Sequence, residues 1–367
     1  MQPDNDLGQE KSPARTFCLY CRRPLSIDSA RQVCDRCTDQ VQRYHPPITD
    51  TQRVVLLSRE LGVDLPELRL FRTNTIGYQS SEGKVVALNC SNQSIQVLPV
   101  IIGDLRHLQT LILGGNLIRD VPRDVFQKLG QLALLELSNN NITDVPDELG
   151  NLKRLKTLLL SQNKLIQIPQ PIQELPELTH LDLSRNSITT LPALPSMLRY
   201  LNLDHNRLKK VFDTNQSLLE KLGTLKLENN DLEVLGGDEV AIMPNIRELH
   251  TGFNRLVTVP AEVGKLKHLQ VLNVEHNNLK SIPTELGHLT KLRTLTLNNN
   301  ELEWLPATIS GLTGLQELFL QDNLLTELPP SITQLQSLKR VWLRGNALDK
   351  KEPLVRELQA KGCVVIT

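Results

Sequence analysis

From Val85 onward the apolar residues of this chain follow neither the 3.6-residue period of a helix nor the two-residue period of a long strand. They follow a longer unit. The pattern Leu155-x-x-Leu158-x-Leu160-x-x-Asn163-x-Leu165 returns with its Asn at Asn116, Asn140, Asn186, Asn206, Asn230, Asn254, Asn277, Asn300, Asn323 and Asn346. One further copy, Val85-x-x-Leu88-x-Cys90, carries Gln93 in the Asn slot, which makes 12 copies. Seven of the eleven steps are 23 residues, three are 24, and Asn186 to Asn206 is 20. Leu fills 30 of the 36 leading slots; the exceptions are Val85, Cys90, Ile246, Thr251, Val274 and Val341. Nine copies place Pro six residues after the Asn slot, as at Pro122 and Pro169, and such residues would break a continuous Leu-rich helix.

Each copy predicts a short strand around Leu-x-Leu. Successive strands lie about 4.8 Å apart in one parallel sheet, so twelve span about 50 Å. The Leu slots point into the core. The Asn slot falls where the chain leaves the strand, and its amide can serve both N–H and C=O groups of the buried turn. The return path supplies further core residues such as Ile172 and Leu175. One copy cannot bury its own apolar face, so the array needs neighbours and caps.

On these slots and the N-x-L-x-x-[IVL]-P continuation, the chain resembles the leucine-rich repeat proteins. The form is similar to the cytosolic plant Ras-group-related and Ras-scaffold types and to prokaryotic members. The resemblance covers about residues 85–349. It implies an α/β solenoid, a horseshoe with its parallel sheet on the concave face, and is poorly specific for function; the expected function is a non-catalytic scaffold or adaptor binding a protein partner on that face. Fold alone does not name that partner.

The flanks read as caps. Val54 to Leu61 predicts a helix with Asp50 or Thr51 as its cap and Gly62 at its end. Ile76 to Leu88 predicts a hairpin turning at Ser80–Gly83, whose first strand hides the edge of the sheet. Lys350 to Lys361 predicts an amphipathic helix stopped by Gly362, followed by a terminal strand, Cys363–Ile366. The expected organisation is therefore a disordered tail (1–15), a metal module (16–45), a linker, helix and N-terminal cap (46–84), the array (85–349) and a C-terminal cap (350–367).

The metal module rests on Cys18-x-x-Cys21, twelve residues, then Cys34-x-x-Cys37. Two such pairs can wrap one tetrahedral Zn²⁺ with four thiolates, with iron as the second choice and a pair of disulfides as the metal-free alternative. About thirty residues bury too little apolar surface to fold alone, so the metal would supply folding energy. The module resembles zinc ribbons and related knuckles, departing from many knuckles in having Arg22 and Thr38 where Gly follows the second Cys. Cys90 and Cys363, in apolar slots at opposite ends of the array, read as small buried hydrophobes.

Composition narrows the function. Lys plus Arg and Asp plus Glu both number 41, for a net charge of zero, and residues 1–50 hold seven of each sign. Polyanion binding runs on basic excess, so nucleic acid is not the expected ligand. A nucleic-acid or ribonucleoprotein factor acting through the zinc module is the alternative. No apolar run is long enough to span a membrane, and the polar N-terminus lacks a basic, then apolar, leader, so the cytoplasm is expected. There is no phosphate-binding Gly-rich loop, His-Glu-x-x-His or nucleophile elbow, and catalysis is not expected.

Residues between the Leu slots should face the concave surface. Its third, fifth and eighth lanes contain four of the chain's twelve aromatics, Tyr200, Phe253, Phe319 and Trp342, and four of its eight His residues, His180, His205, His250 and His276. Together with Asp182, Arg185 and Asn202 these form the candidate partner-binding set, because exposed aromatics anchor protein interfaces. The bland alternative is a solvated polar face. The short step and the loss of the ladder Pro at Phe212 and Gly236 fall in the middle of this surface and should alter local curvature there.

Overall fold

The computed structural model describes residues 48–212, 216–348 and 353–367. The chain divides into two compact units, Met1–Thr49 and Asp50–Thr367. Cys18, Cys21, Cys34 and Cys37, with the whole expected zinc module, lie outside the described residues.

The second unit is one 14-stranded sheet whose strands follow chain order without a crossover. Strand β1 (Gly77–Ser81) pairs antiparallel with β2 (Lys84–Asn89) through a turn at Glu82 and Gly83, both at positive φ. That turn falls at the end of the expected Ser80–Gly83 span, with Ser80 and Ser81 still in β1. Every later pairing, through β13 (Arg340–Trp342) to β14 (Val364–Ile366), is parallel and in register. Equivalent Leu residues therefore stack: Leu135 beside Leu158, Leu158 beside Leu181. The slot residues are buried almost without exception, giving a continuous core of stacked aliphatic side chains. Thr251, the polar residue in a Leu slot, is fully buried and donates its hydroxyl to Asn273 O at 3.3 Å.

The α component is thinner than the resemblance implies. Seven return paths contain only five-residue 3₁₀ turns, each opening just after the ladder Pro and, at Gln170–Glu174 and Pro330–Gln334, carrying a second Pro near its start. Among the described residues only Arg123–Phe126 and Gly237–Ala241 are α-helical inside the array. The reason is length: the residues left between the Pro and the next Leu slot accommodate one tight turn. The 3₁₀ turns stack so closely that a Cβ on Gly287 would lie 2.2 Å from Thr308 O. The short fifth copy has no helical return at all.

The Asn slot joins the copies. Asn163 Nδ2 donates to Leu160 O and Ser161 O of its own copy and to Leu137 O of the preceding one, at 3.0 to 3.3 Å. Its Oδ1 accepts from the Ile142 amide of the preceding copy at 2.9 Å. The same set recurs from Asn140 to Asn323. Gln93, in the first copy, donates only to Ser91 O and Asn92 O.

The eighth position carries a constraint invisible in the apolar pattern. In every copy it sits at positive φ, from Asn92 at 57° to Gly345 at 75°. Four of the twelve are Asn and two are Gly, the residues that tolerate this region best. The others include Arg185, His205, Phe253 and His276.

The caps differ in detail from expectation. The first helix, α1, runs Asp50–Leu61 and so begins four residues early. Asp50 lies inside it and joins it to the sheet, accepting from Arg53 Nη1 at 2.8 Å and from the Val85 amide at 3.1 Å. The outer side of β1 is covered by Pro66 to Leu68, which exchange backbone hydrogen bonds with Tyr78. Gly77, at φ 135°, fits there because a Cβ would lie 2.4 Å from Pro66 O. The C-terminal helix, Pro353–Ala360, is shorter than the expected 350–361 span, of which 350–352 lie outside the described residues; Gly362, at φ 87°, ends it.

Asn163→Ala orphans the buried Ile142 amide and removes one of two donors from Leu137 O, Leu160 O and Ser161 O, which keep Asn140 Nδ2, Asn186 Nδ2 and the Asn139 amide. At about 1 to 3 kcal/mol for an orphaned buried group, urea unfolding should show a loss of about 1 to 3 kcal/mol. Gln93→Ala, whose amide bridges nothing, should cost less than about 1 kcal/mol.

Candidate functional site

Strand geometry places the third, fifth and seventh positions of each copy on the open face of the sheet. At its N-terminal end this face is closed. Asn89 is fully buried and its amide donates to Thr73 O and Thr75 O of the cap at 2.9 and 3.0 Å. Ile112 is buried beside it.

The predicted residues gather in three places. In the fifth and sixth copies the rings of His180 and Tyr200 stack at 6.1 Å, and Asn202 Nδ2 approaches Asp182 Oδ2 at 3.4 Å. Both polar groups also do structural duty: Asp182 Oδ1 accepts from the Ser184 amide and Asn202 Oδ1 from the Asp204 amide. Glu136, Asn89 and Asn273 repeat that bond, so a polar fifth position satisfies the amide two residues on. Burial pushes the Tyr200 hydroxyl above its ordinary pKa, with Lys226 opposing and Asp182 reinforcing the shift.

In the eighth and ninth copies Phe253 and His276 stack at 4.1 Å and 15°. Phe253 is 41% exposed although it sits at φ 55°, where a bulky residue is strained by about 1 to 2 kcal/mol. In the last two copies Phe319 and Trp342 stack at 4.0 Å and 9°. A row of Thr294, Thr296 and Asn298 separates this pair from His276. Arg185 and His205 stand on the strand-exit lane, both at positive φ.

The apolar pattern missed the seventh position. There Asp204, Glu228 and Glu275 add carboxylates to the middle of the face. His250 Nδ1 lies 3.5 Å from Glu228 Oε1 and its Nε2 lies 3.9 Å from Glu248 Oε2. Asn273 Nδ2 donates to the same Glu228 oxygen at 2.9 Å. The hydrogen bond from His250 lowers the Glu228 pKa more than burial raises it. Asp204 goes the other way. Burial raises its pKa, against a 2.7 Å hydrogen bond from the Glu228 amide. The signal was available: position seven has the same strand parity as three and five.

No group of three or more His, Cys, Asp or Glu side chains suited to a metal occurs among the described residues. Cys90 and Cys363 are free and buried, and burial pushes the Cys90 thiol up to about 12.

Family models described as "Leucine rich repeat", "Leucine Rich repeats (2 copies)" and "Leucine-rich repeat region" match residues 106–165, 153–196, and 238–318 with 259–360. A leucine-rich repeat protein of Leptospira interrogans is 32% identical in structure-based comparison, with a TM-score of 0.58, over 78% of this chain and 85% of that one. The chain belongs to the leucine-rich repeat family. The repeat ectodomain of a plant membrane receptor kinase from Arabidopsis thaliana, solved in complex with CASPARIAN STRIP INTEGRITY FACTOR 2, is also similar. It is 27% identical with a TM-score of 0.55, over 72% of this chain and 36% of that one. An adenylate cyclase of Schizosaccharomyces pombe is 25% identical over 278 residues, 67% of this chain. This chain spans only 15% of that cyclase's length, so the likeness concerns the repeats.

The two carboxylates of this leucine-rich repeat face predict opposite pH effects. Glu228, with its lowered pKa, contributes stability above the ordinary carboxyl value near 4.5 that is lost as pH falls through its folded value. Glu228→Gln should therefore lower the urea midpoint at pH 7, and the difference from wild type should shrink in acid. Asp204, with its raised pKa, adds stability only at acid pH and loses it as pH rises through its folded value. Asp204→Asn, which keeps the acceptor for the Glu228 amide, should leave the midpoint at pH 7 unchanged or raised.

Proposed function

We propose that this protein is a non-catalytic scaffold that captures a protein partner on the open face of its repeat sheet. One observation carries the reading. Phe253 holds a large exposed ring in a left-handed backbone position, where Asn or Gly would sit without strain. Strain of this kind persists where it serves a site. The ring packs on His276 and not into the core, and it flanks the polar group of His250 and Glu228. His180 with Tyr200, and Phe319 with Trp342, extend the set of rings along the same face. The receptor-kinase ectodomain, solved with its bound factor, supports the same use of the repeat fold.

Cys18, Cys21, Cys34 and Cys37 are proposed to hold one structural Zn²⁺ in an N-terminal docking module. A cytoplasmic setting suits four free thiolates, two unpaired buried cysteines and an array without Cys-rich caps. Among the described residues no helix is long and apolar enough to cross a membrane.

Two measurements test this. Affinity capture from the source cell with full-length Phe253→Asn/Trp342→Ser should lose the partner by about tenfold or more, since interface anchors are worth about 2 kcal/mol each. Phe253→Asn alone should unfold no earlier in urea than wild type; undiminished capture by the double variant refutes the reading. Metal analysis should find close to one zinc per full-length chain, lost in Cys18→Ser/Cys34→Ser.

A further inference from the structure

The zero net charge of the chain conceals two opposed bands. The first lies where each strand begins. At the two positions before the first Leu slot and the one after it, the 12 copies hold 12 Lys or Arg residues and only two acids, Glu177 and Glu220. The second band is the open face itself. Positions three, five and seven hold seven Asp or Glu residues against three Lys or Arg. Because the strands are in parallel register, each set lines up along the sheet: a basic rim, interrupted at the third, fifth and eleventh copies, beside a face whose acids are densest from Asp182 to Glu275.

The rim is exposed and mostly unneutralised. Arg199, Arg247 and Arg293 recur in every second copy at the same register position, about 10 Å apart. No carboxylate among the described residues pairs with any of the three guanidinium groups. Lys153 and Lys156 do have partners, Glu174 at 3.3 Å and Glu177 at 3.9 Å, but these are exposed contacts that contribute little. From Lys156 to Lys339 the rim runs for eight strand spacings, about 38 Å. An extended segment of about twelve residues matches that length.

We propose that the partner captured by this protein presents an extended acidic segment, which lies along the basic rim while its flank meets the rings of the open face. This rests on the scaffold reading above and specifies the chemistry of its partner. Arginines favour carboxylates because the planar guanidinium can donate two parallel hydrogen bonds to one. The acidic band decides against the other polyanion. A nucleic acid carries a charge on every residue and is bulky enough to bring phosphates over Asp204, Glu228 and Glu248, whereas a peptide can place acids on the rim side and neutral or basic side chains on the other. Tyr200 adjoins Arg199 in the chain, so the rim and the face are reached by one ligand.

The test uses full-length protein and a fluorescein-labelled peptide of twelve glutamates, followed by anisotropy. Wild type should bind it, and binding should weaken by about tenfold from low to physiological salt, as exposed ion pairs are screened. Arg199→Glu/Arg247→Glu/Arg293→Glu should reduce binding at least tenfold with an unchanged urea midpoint, because all three side chains are exposed. No binding by wild type at low salt, or equal binding by the triple variant, overturns the inference. So does tighter, rim-dependent binding of a twelve-nucleotide thymidine strand, which would assign the rim to nucleic acid. Capture from the source cell separates the two readings. Loss with the Phe253/Trp342 variant but not with the triple variant leaves the scaffold standing and overturns the acidic partner.

Discussion

Every feature of the array depends on one side-chain amide. The Asn of each copy donates to carbonyls of its own strand exit and of the previous copy, while accepting from an amide one copy back. A strand exit in a closely stacked solenoid necessarily buries backbone groups that no ladder can pair. Asn offers two donors and one acceptor on a stem short enough to sit inside the turn. Asp lacks the donors, and Gln is long enough that in the first copy it bonds only locally. The ladder therefore fixes the spacing between copies, and that spacing stacks Leu on Leu. Stability is then nearly a sum of nearest-neighbour terms, which explains why the ends need the hairpin and the C-terminal strand.

The same turn sets the chemistry available to the face. The chain leaves each strand through a left-handed residue at position eight and an amide at position seven that needs an acceptor. Asn, Asp or Glu at position five supplies that acceptor in several copies. Part of what looks like a polar binding surface is thus backbone accounting, as Asp182 and Asn202 illustrate. Residues that this accounting does not require stand out more sharply. Phe253 is one, because its position favours a small residue and its ring is not needed by the core.

The fold was legible in the sequence because one periodic constraint, a Leu triplet followed by Asn, repeats often enough to fix strand, register and core together. The return path was less so. The few residues after Pro close as 3₁₀ where the step is 23 residues, and the two α turns fall in copies with a 24-residue step, a one-residue difference that the apolar pattern does not by itself translate into a turn type. Reading the third, fifth and eighth lanes found the six ring residues but not their pairing, and it omitted position seven as a lane, so Glu228 was missed, and with it the partner of His250. The positive φ at position eight was hinted at only by Asn and Gly in half of the copies.

The charge balance of the chain shows how a repeat changes the meaning of composition. In a globular domain, equal numbers of acids and bases are scattered, and net charge is a fair guide to the surface field. In a solenoid with in-register strands, a preference at one position of a short unit is copied along the whole sheet. A bias too weak to notice in one repeat, one basic residue in three flanking positions, becomes a stripe about 38 Å long. The compensating acids are not scattered either, because position seven and position five gather them on the adjoining face. Net neutrality here is the sum of two bands that a ligand meets separately. Strict register, which makes the fold legible, is also why net charge does not describe this surface.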